Sequence, residues 1–247
     1  MAAKRAAKTG GRKPLFKRIL LKISGEALAK GGSAHDADIL EAVCSEVKGL
    51  VDAGCQVGMV VGGGNIFRGL AGVKGGFERT TGDHMGMLAT VINALALRVT
   101  FERLGSKAEV MTAFPIIGVT KPFNKREAVR MLEQDTVVIF AAGTGNPYFT
   151  TDTGAALRAI EIEADILLKA TKVDGVYTAD PKKDPTAKRY ARITYAEVIA
   201  KQLGVMDITA ITLCRENKLP VMVFAMTKPG SIAGAVMGTN AGTIVEE

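Results

Sequence analysis

Apolar residues follow two alternating patterns along this chain. Short runs that are almost wholly β-branched or aliphatic, at 19–24, 57–62, 108–114, 137–142, 165–171, 221–226 and 243–245, predict strands. Between them the spacing becomes helical. Ile39, Leu40, Val43, Val47, Leu50 and Val51 predict a helix over 36–53, and Met87, Leu88, Val91, Leu95 and Val99 one over 84–104. Shorter helices are predicted at 124–133, 153–163, 194–202 and 207–217. Strands without a polar face, alternating with helices, imply a mainly parallel sheet covered on both sides, an α/β architecture.

Composition narrows the class. At 247 residues, 47% apolar and 23% charged, the chain is neither a disordered polymer, a coiled coil nor a disulfide-stapled mini-protein. Three cysteines with no close pair argue against a disulfide framework or a zinc ribbon, and a cytoplasmic setting is expected. The start lacks the apolar stretch of a secretory signal, and Gly or charge interrupts each apolar run, so no membrane association is expected.

The net charge of +7 is unevenly spread. Residues 1–18 hold seven cations and no acid, which leaves 25 basic and 25 acidic groups in the rest. A basic, solvated tail over 1–16 and one domain over 17–247 are therefore expected. The neutral body has no bulk attraction for nucleic acid, so any such contact falls to the tail.

Glycine and proline concentrate just after predicted strands, where ligands bind in an open parallel sheet. Lys22-Ile23-Ser24-Gly25-Glu26 ends the first strand; it is either an ordinary strand end or a phosphate contact made by Lys22 and close-lying backbone. Gly62-Gly63-Gly64-Asn65-Ile66-Phe67-Arg68 follows the second. Such a nest can wrap an anion, with Arg68 closing on the same phosphate, or it is a flexible turn. There is no Gly-Lys dipeptide, hence no Walker A loop, and neither Gly-rich turn completes a G-x-G-x-x-G. The run Gly143 to Thr153 packs hydroxyls, an amide and a carboxylate between a strand and a helix. Asp152 there is either a helix cap or a functional group. In the run Lys169 to Pro181, Asp174-Gly175 and Asp180-Pro181 read as turns, and Tyr177 could flank a base. Asp83 opens a predicted helix beside His84. With His35 the only other histidine, neither a His-based metal cluster nor a Ser-His-Asp arrangement can be assembled.

Together these motifs, with Gly82-Asp83-His84-Met85-Gly86-Met87-Leu88, resemble the bacterial uridylate kinases of the amino acid kinase superfamily, in order from about Lys17 to the end of the chain. The resemblance implies a three-layer αβα sandwich with a mainly parallel central sheet, assembled as a homohexamer, a trimer of dimers. It implies phosphorylation of UMP by ATP with Mg²⁺, in pyrimidine nucleotide synthesis, the N-terminal part serving mainly UMP and the C-terminal part mainly ATP. Carried over by position, Lys22, Ile23, Ser24 and Gly25 hold ATP phosphates, and Gly64 and Arg68 serve the phosphate side. Gly63 meets UMP and Asp83 its ribose, while Thr144, Gly145, Asn146, Pro147, Tyr148, Phe149, Thr150 and Thr151 line the uridylate pocket. Thr171, Tyr177 and Asp180 hold the adenosine end. Lys22, Arg68 and Asp152 are the catalytic candidates, Asp152 orienting Lys22 or the metal, with no direct protein ligand to the metal assigned. UTP inhibition is expected from the family. The segment Lys30-Gly31-Gly32-Ser33-Ala34-His35-Asp36-Ala37-Asp38 keeps only part of the Gly-Phe-Gly-Ile-Asp-like pattern associated with GTP activation, a departure that puts such activation in doubt. Two other readings compete: a carboxylate or carbamate acceptor within the superfamily, against which the 144–152 loop argues, and a nucleotide-sensing regulator that contacts nucleic acid through its tail.

Overall fold

The computed structural model describes residues 13–67, 76–181, 183–239 and 242–247. Most of the expected basic tail and Arg68 lie outside them. Among the described residues nine strands form one sheet, in the order β4-β3-β5-β2-β1-β6-β8-β9-β7. They are β1 Arg18–Ile23, β2 Gln56–Val61, β3 Ala108–Thr112, β4 Lys121–Pro122, β5 Val137–Ala141, β6 Ile166–Thr171, β7 Arg192–Thr194, β8 Val221–Ala225 and β9 Thr243–Glu246. All pairings are parallel except β8 with β9, so the expected mainly parallel sheet is present.

Among the described residues seven α-helices cover it: α1 Ala37–Asp52, α2 Arg79–Arg103, α3 Lys125–Glu133, α4 Thr151–Glu161, α5 Tyr195–Ala200, α6 Ile208–Glu216 and α7 Ser231–Met237. Alternation along the strands sorts the core into two layers. Ile19, Leu21 and Ile23 of β1 pack with α1, α2 and α7, including Cys44, Val47, Phe101 and Val236. Leu20, between them in sequence, faces the other way and packs with α3 to α6 through Leu132, Ala155, Tyr195 and Ile211. Lys22 shares the face of Leu20, which puts it under α4.

The topology also selects a place for ligands. From β1 the chain crosses to β2 on one side, whereas from β6 it continues toward β8 on the other. Connections therefore part at the β1/β6 junction, where parallel α/β sheets open a crevice at the strand ends. Helix α2 is long and apolar enough by composition to cross a membrane, yet it lies against the sheet with Thr90, Asn93 and Thr100 buried. It is a core helix.

Candidate functional site

Two lysines meet at that junction. Lys22 on β1 and Lys169 on β6 are directly registered across the parallel pair, and their side chains are 14% exposed. A lysine near the end of an otherwise apolar strand loses hydration and needs a counter-charge. Asp152 of α4 supplies it to both: Lys22 Nζ lies 2.7 Å from Oδ1 and Lys169 Nζ 2.6 Å from Oδ2. The Lys169 ammonium also donates to the Val205 carbonyl at 2.5 Å. The Lys22 contact is an ion pair without good hydrogen-bond geometry at Oδ1. Burial alone would raise the pKa of Asp152, but the two ammoniums outweigh it and hold the carboxyl below its usual range. Lys169 moves down from the ordinary lysine value because burial exceeds the attraction of Asp152, and the neighbouring charge of Lys22 adds to the shift. One carboxylate thus serves two ammoniums, a local arrangement suited to receiving an anion.

The position of Asp152 follows from its helix start. Thr150, rather than Asp152, is the cap: its Oγ1 accepts from the backbone of Asp152 and Thr153. The cap reading of Asp152 is therefore replaced, and its carboxylate is left for the lysines. Thr150 and Thr153 in turn donate their hydroxyls to Asp207, at 2.5 and 3.0 Å, and Asp207 caps α6 through the Ala210 amide. Lys169 and Asp207 were not singled out from the sequence. A lysine inside an apolar run was a usable signal for the first; Asp207 carried only the signature of a cap.

The loop after β5 bends through two non-glycine residues in left-handed backbone, Ala142 at φ 62° and Tyr148 at φ 73°, with Gly143 and Gly145 also at positive φ. Such conformations persist only where neighbours hold them. Helix α2 does so twice: the Ala142 amide donates to Thr90 Oγ1 at 2.8 Å, and the Tyr148 amide to Asp83 Oδ2 at 2.7 Å. Asp83 is not at a helix start, because α2 begins at Arg79; it lies in the second turn and pairs with Arg79 at 2.8 Å. The Arg79 guanidinium also lies over the Tyr148 ring. Thr144 to Thr150 thus form a strained, half-open rim, with Thr144 and Asn146 bonded to each other and Tyr148 and Phe149 exposed.

Ser24 precedes a short 3-10 turn, Gly25–Leu28, and Gly25 abuts the loop Gly62-Gly63-Gly64 after β2. A Cβ on Gly63 would sit 2.8 Å from the Gly86 carbonyl and from Ala89 of α2. Close backbone approach, more than turn flexibility, explains that glycine. On the other side of Lys169, Thr171, Tyr177 and Asp180 line a cavity of about 640 Å³ with Gly175, Gln202 and Val205. The side-chain bonds of Thr171 and Tyr177 are local: Thr171 Oγ1 to the Val173 carbonyl and Tyr177 Oη to Asp174. The structure thus brings all the described candidates to one crest of the sheet, with the lysine pair between the glycine loops and the cavity. Among the described residues no three His, Cys, Asp or Glu side chains gather as metal ligands. The three thiols are buried and pushed up to about 12, so they stay protonated and unreactive.

Comparison with known proteins gives a consistent picture. The family model described as "Amino acid kinase family" matches residues 17–225. The chain is 57% identical over 245 residues to a protein of Ectopseudomonas mendocina named uridylate kinase, covering 98% of each. A UMP kinase crystal structure from Bacillus anthracis superposes with a TM-score of 0.90 at 38% identity, over 94% of this chain and 96% of that one. One from Ureaplasma parvum gives 0.90 at 37%, over 96% and 100%. With its sheet, its strand-end lysines and this match over most of its length, the chain belongs to the amino acid kinase family.

Proposed function

We propose that this chain phosphorylates UMP to UDP at the expense of ATP. The observation that carries the reading is the Lys22–Asp152–Lys169 trio, set between the 640 Å³ cavity and the 143–152 rim in a chain closely similar to proteins named uridylate kinase. The cavity takes adenosine, with Thr171, Tyr177 and Asp180 at its wall, and the rim and Gly63 take UMP, with Asp83 on the ribose side. The two nucleotides then meet phosphate to phosphate at the lysines.

A UMP phosphate oxygen attacks the γ-phosphorus of ATP, forming the new P–O bond as the bond to the β-phosphate oxygen breaks and ADP leaves. The attacking oxygen is already anionic at neutral pH, so no strong base is required; positioning and charge neutralisation do the catalysis. Lys22 and Lys169 stabilise charge on the moving phosphoryl group, and Asp152 fixes where their ammoniums stand. Mg²⁺ held on ATP oxygens would neutralise the triphosphate, which suits a site whose carboxylates Asp152 and Asp207 are already engaged by lysines and hydroxyls. Arg68 completes the phosphate side in this reading. The outer face of α2, with Leu88, Ile92 and Val99 about half exposed, is the candidate subunit contact of a hexamer. UTP, competing for the uridylate end, would act as inhibitor.

A coupled ADP-release assay with ATP, Mg²⁺ and a panel of UMP, CMP, N-acetylglutamate and aspartate tests the assignment. UMP is the expected acceptor, and preference for an amino acid would overturn it. Lys22→Ala is expected to lose turnover by about two to three orders of magnitude with the fold retained; a near-normal rate would remove Lys22 from the reaction.

A further inference from the structure

Asn93 is wholly buried in α2, ten residues beyond Asp83, and the reaction outlined above does not use it. Its amide is nevertheless fully committed. Nδ2 donates to the Gly62 carbonyl at 2.6 Å and to Asn65 Oδ1 at 2.8 Å. Oδ1 accepts from Asn65 Nδ2 at 3.1 Å and lies 2.7 Å from His35 Nε2. Two donors and two acceptor sites are all a carboxamide has, and each has a partner. The Gly62 carbonyl can only accept, which fixes the amide orientation; Oδ1 then faces His35, whose Nε2 must carry the hydrogen. Asn65 also donates to the Ala34 carbonyl at 2.8 Å.

This one amide therefore ties together the glycine loop after β2, the 34–35 segment and α2. Space around it is minimal, since a Cβ on Gly25 would come within 2.9 Å of Asn93 Nδ2. A plain loop anchor would need one bond, whereas four fix position and rotation together. We infer that Asn93 is a positioning residue for phosphoryl transfer: it sets where the 62–65 loop stands relative to the Lys22 strand end, with His35 bracing it from outside. The inference rests on the proposed kinase reading. It adds a residue that touches neither nucleotide nor metal and acts through Gly62 and Asn65.

The experiment compares Asn93→Asp with the parent enzyme in two readouts, steady-state kinetics and amide hydrogen exchange at 62–65. The carboxylate keeps the shape but cannot donate, so the Gly62 carbonyl and Asn65 Oδ1 face an anion. The expected result is faster exchange confined to 62–65 and a kcat lowered about tenfold or more, with KM for ATP changed much less. Unchanged exchange with turnover within about twofold of the parent would overturn the inference. So would faster exchange with unchanged kcat, or loss of protection spread evenly over the fold with normal turnover per folded molecule. If Asn93→Asp does not fold, His35→Ala and His35→Gln at the half-buried brace decide: the first is expected to lower kcat a few-fold and the second, which retains a donor, to restore it, while equal rates for both and the parent would refute the brace. A parent that phosphorylates no UMP would defeat the kinase reading, and exchange at 62–65 would still judge whether Asn93 sets the loop.

Discussion

The two ends of the crevice along the strand tops are built by different means. At the glycine-loop end, backbone segments approach so closely that Gly25 and Gly63 leave no room for a Cβ, and side chains of α2 hold the strained turns. At the other end is an open cavity, and at its wall the Thr171 and Tyr177 side chains bond to near neighbours in sequence, Val173 and Asp174. Tight packing gives a site one geometry, and any added atom displaces several partners. A loosely walled cavity lets each contact contribute a little. In the proposed kinase, the first end is expected to discriminate its substrate sharply, and the second to tolerate change.

The lysine trio belongs to both ends, and removing its carboxylate breaks the comparison most severely. Asp152→Ala leaves two buried ammoniums facing each other, and a loss of turnover of about 10² to 10³, with lowered stability, is expected in steady-state and thermal-melting measurements. Gly63→Ala comes next. It forces the loop off Gly86 and Ala89, and a displacement on the order of 1 Å predicts a fall in rate of about 10², readable in kcat with UMP. At the open end, Tyr177→Ala should raise KM for ATP only a few-fold, by about 1 kcal/mol of lost ring contact, and leave kcat near the parent value. Equal losses for Gly63→Ala and Tyr177→Ala would erase the distinction between the ends.

The pH dependence sharpens the middle of the site. Lys169 has its pKa lowered on folding, so between the folded value and the ordinary 10.5 the folded chain binds fewer protons than the unfolded one. Stability attributable to this group therefore rises with pH in that window, whereas activity that needs its charge falls at the same folded value. For Asp152 the slope has the same sign, in an acid window: its pKa is lowered too, so its contribution is present above the ordinary 3.8 and is lost as pH falls through the lower folded value. An alkaline limb of the kcat profile below 10.5 that disappears in Lys169→Arg is the expected signature, the smallest effect of the series at neutral pH.

Much of the sheet was legible because its strands are buried on both faces and need continuous apolar runs. What escaped was short or held from afar. β4 and β7 have two and three residues and no apolar run to mark them. Helix α7 has no side-chain cap of its own; Glu46 of α1 accepts from the backbone of Gly230, Ile232 and Ala233 across more than 180 residues of sequence. Helix α2 starts five residues before the predicted 84, its first turn being polar and facing the rim. In the site, strand-end glycines and Lys22 could be read because their types are unusual where they stand. Lys169, Asp207 and Asn93 depend on partners distant in sequence, and a buried asparagine amid apolar helix positions gains meaning only when Gly62 and Asn65 are seen beside it.

The register of β1 against β6 has a consequence for how such a chain tolerates insertion. Lys22 and Lys169 stand opposite each other on neighbouring strands, so their separation is set by the backbone ladder, whose spacing of about 4.8 Å no loop can alter. Connections between the strands can lengthen or shorten without moving the two charges apart. A single residue gained or lost between Ile19 and Lys22 is another matter: it would turn the ammonium to the opposite face, among Val47 and Phe101, and present an aliphatic side chain to Asp152. The charge geometry acts as a ruler ruled in peptide units, indifferent to what happens in the loops and intolerant of one miscount along the strand.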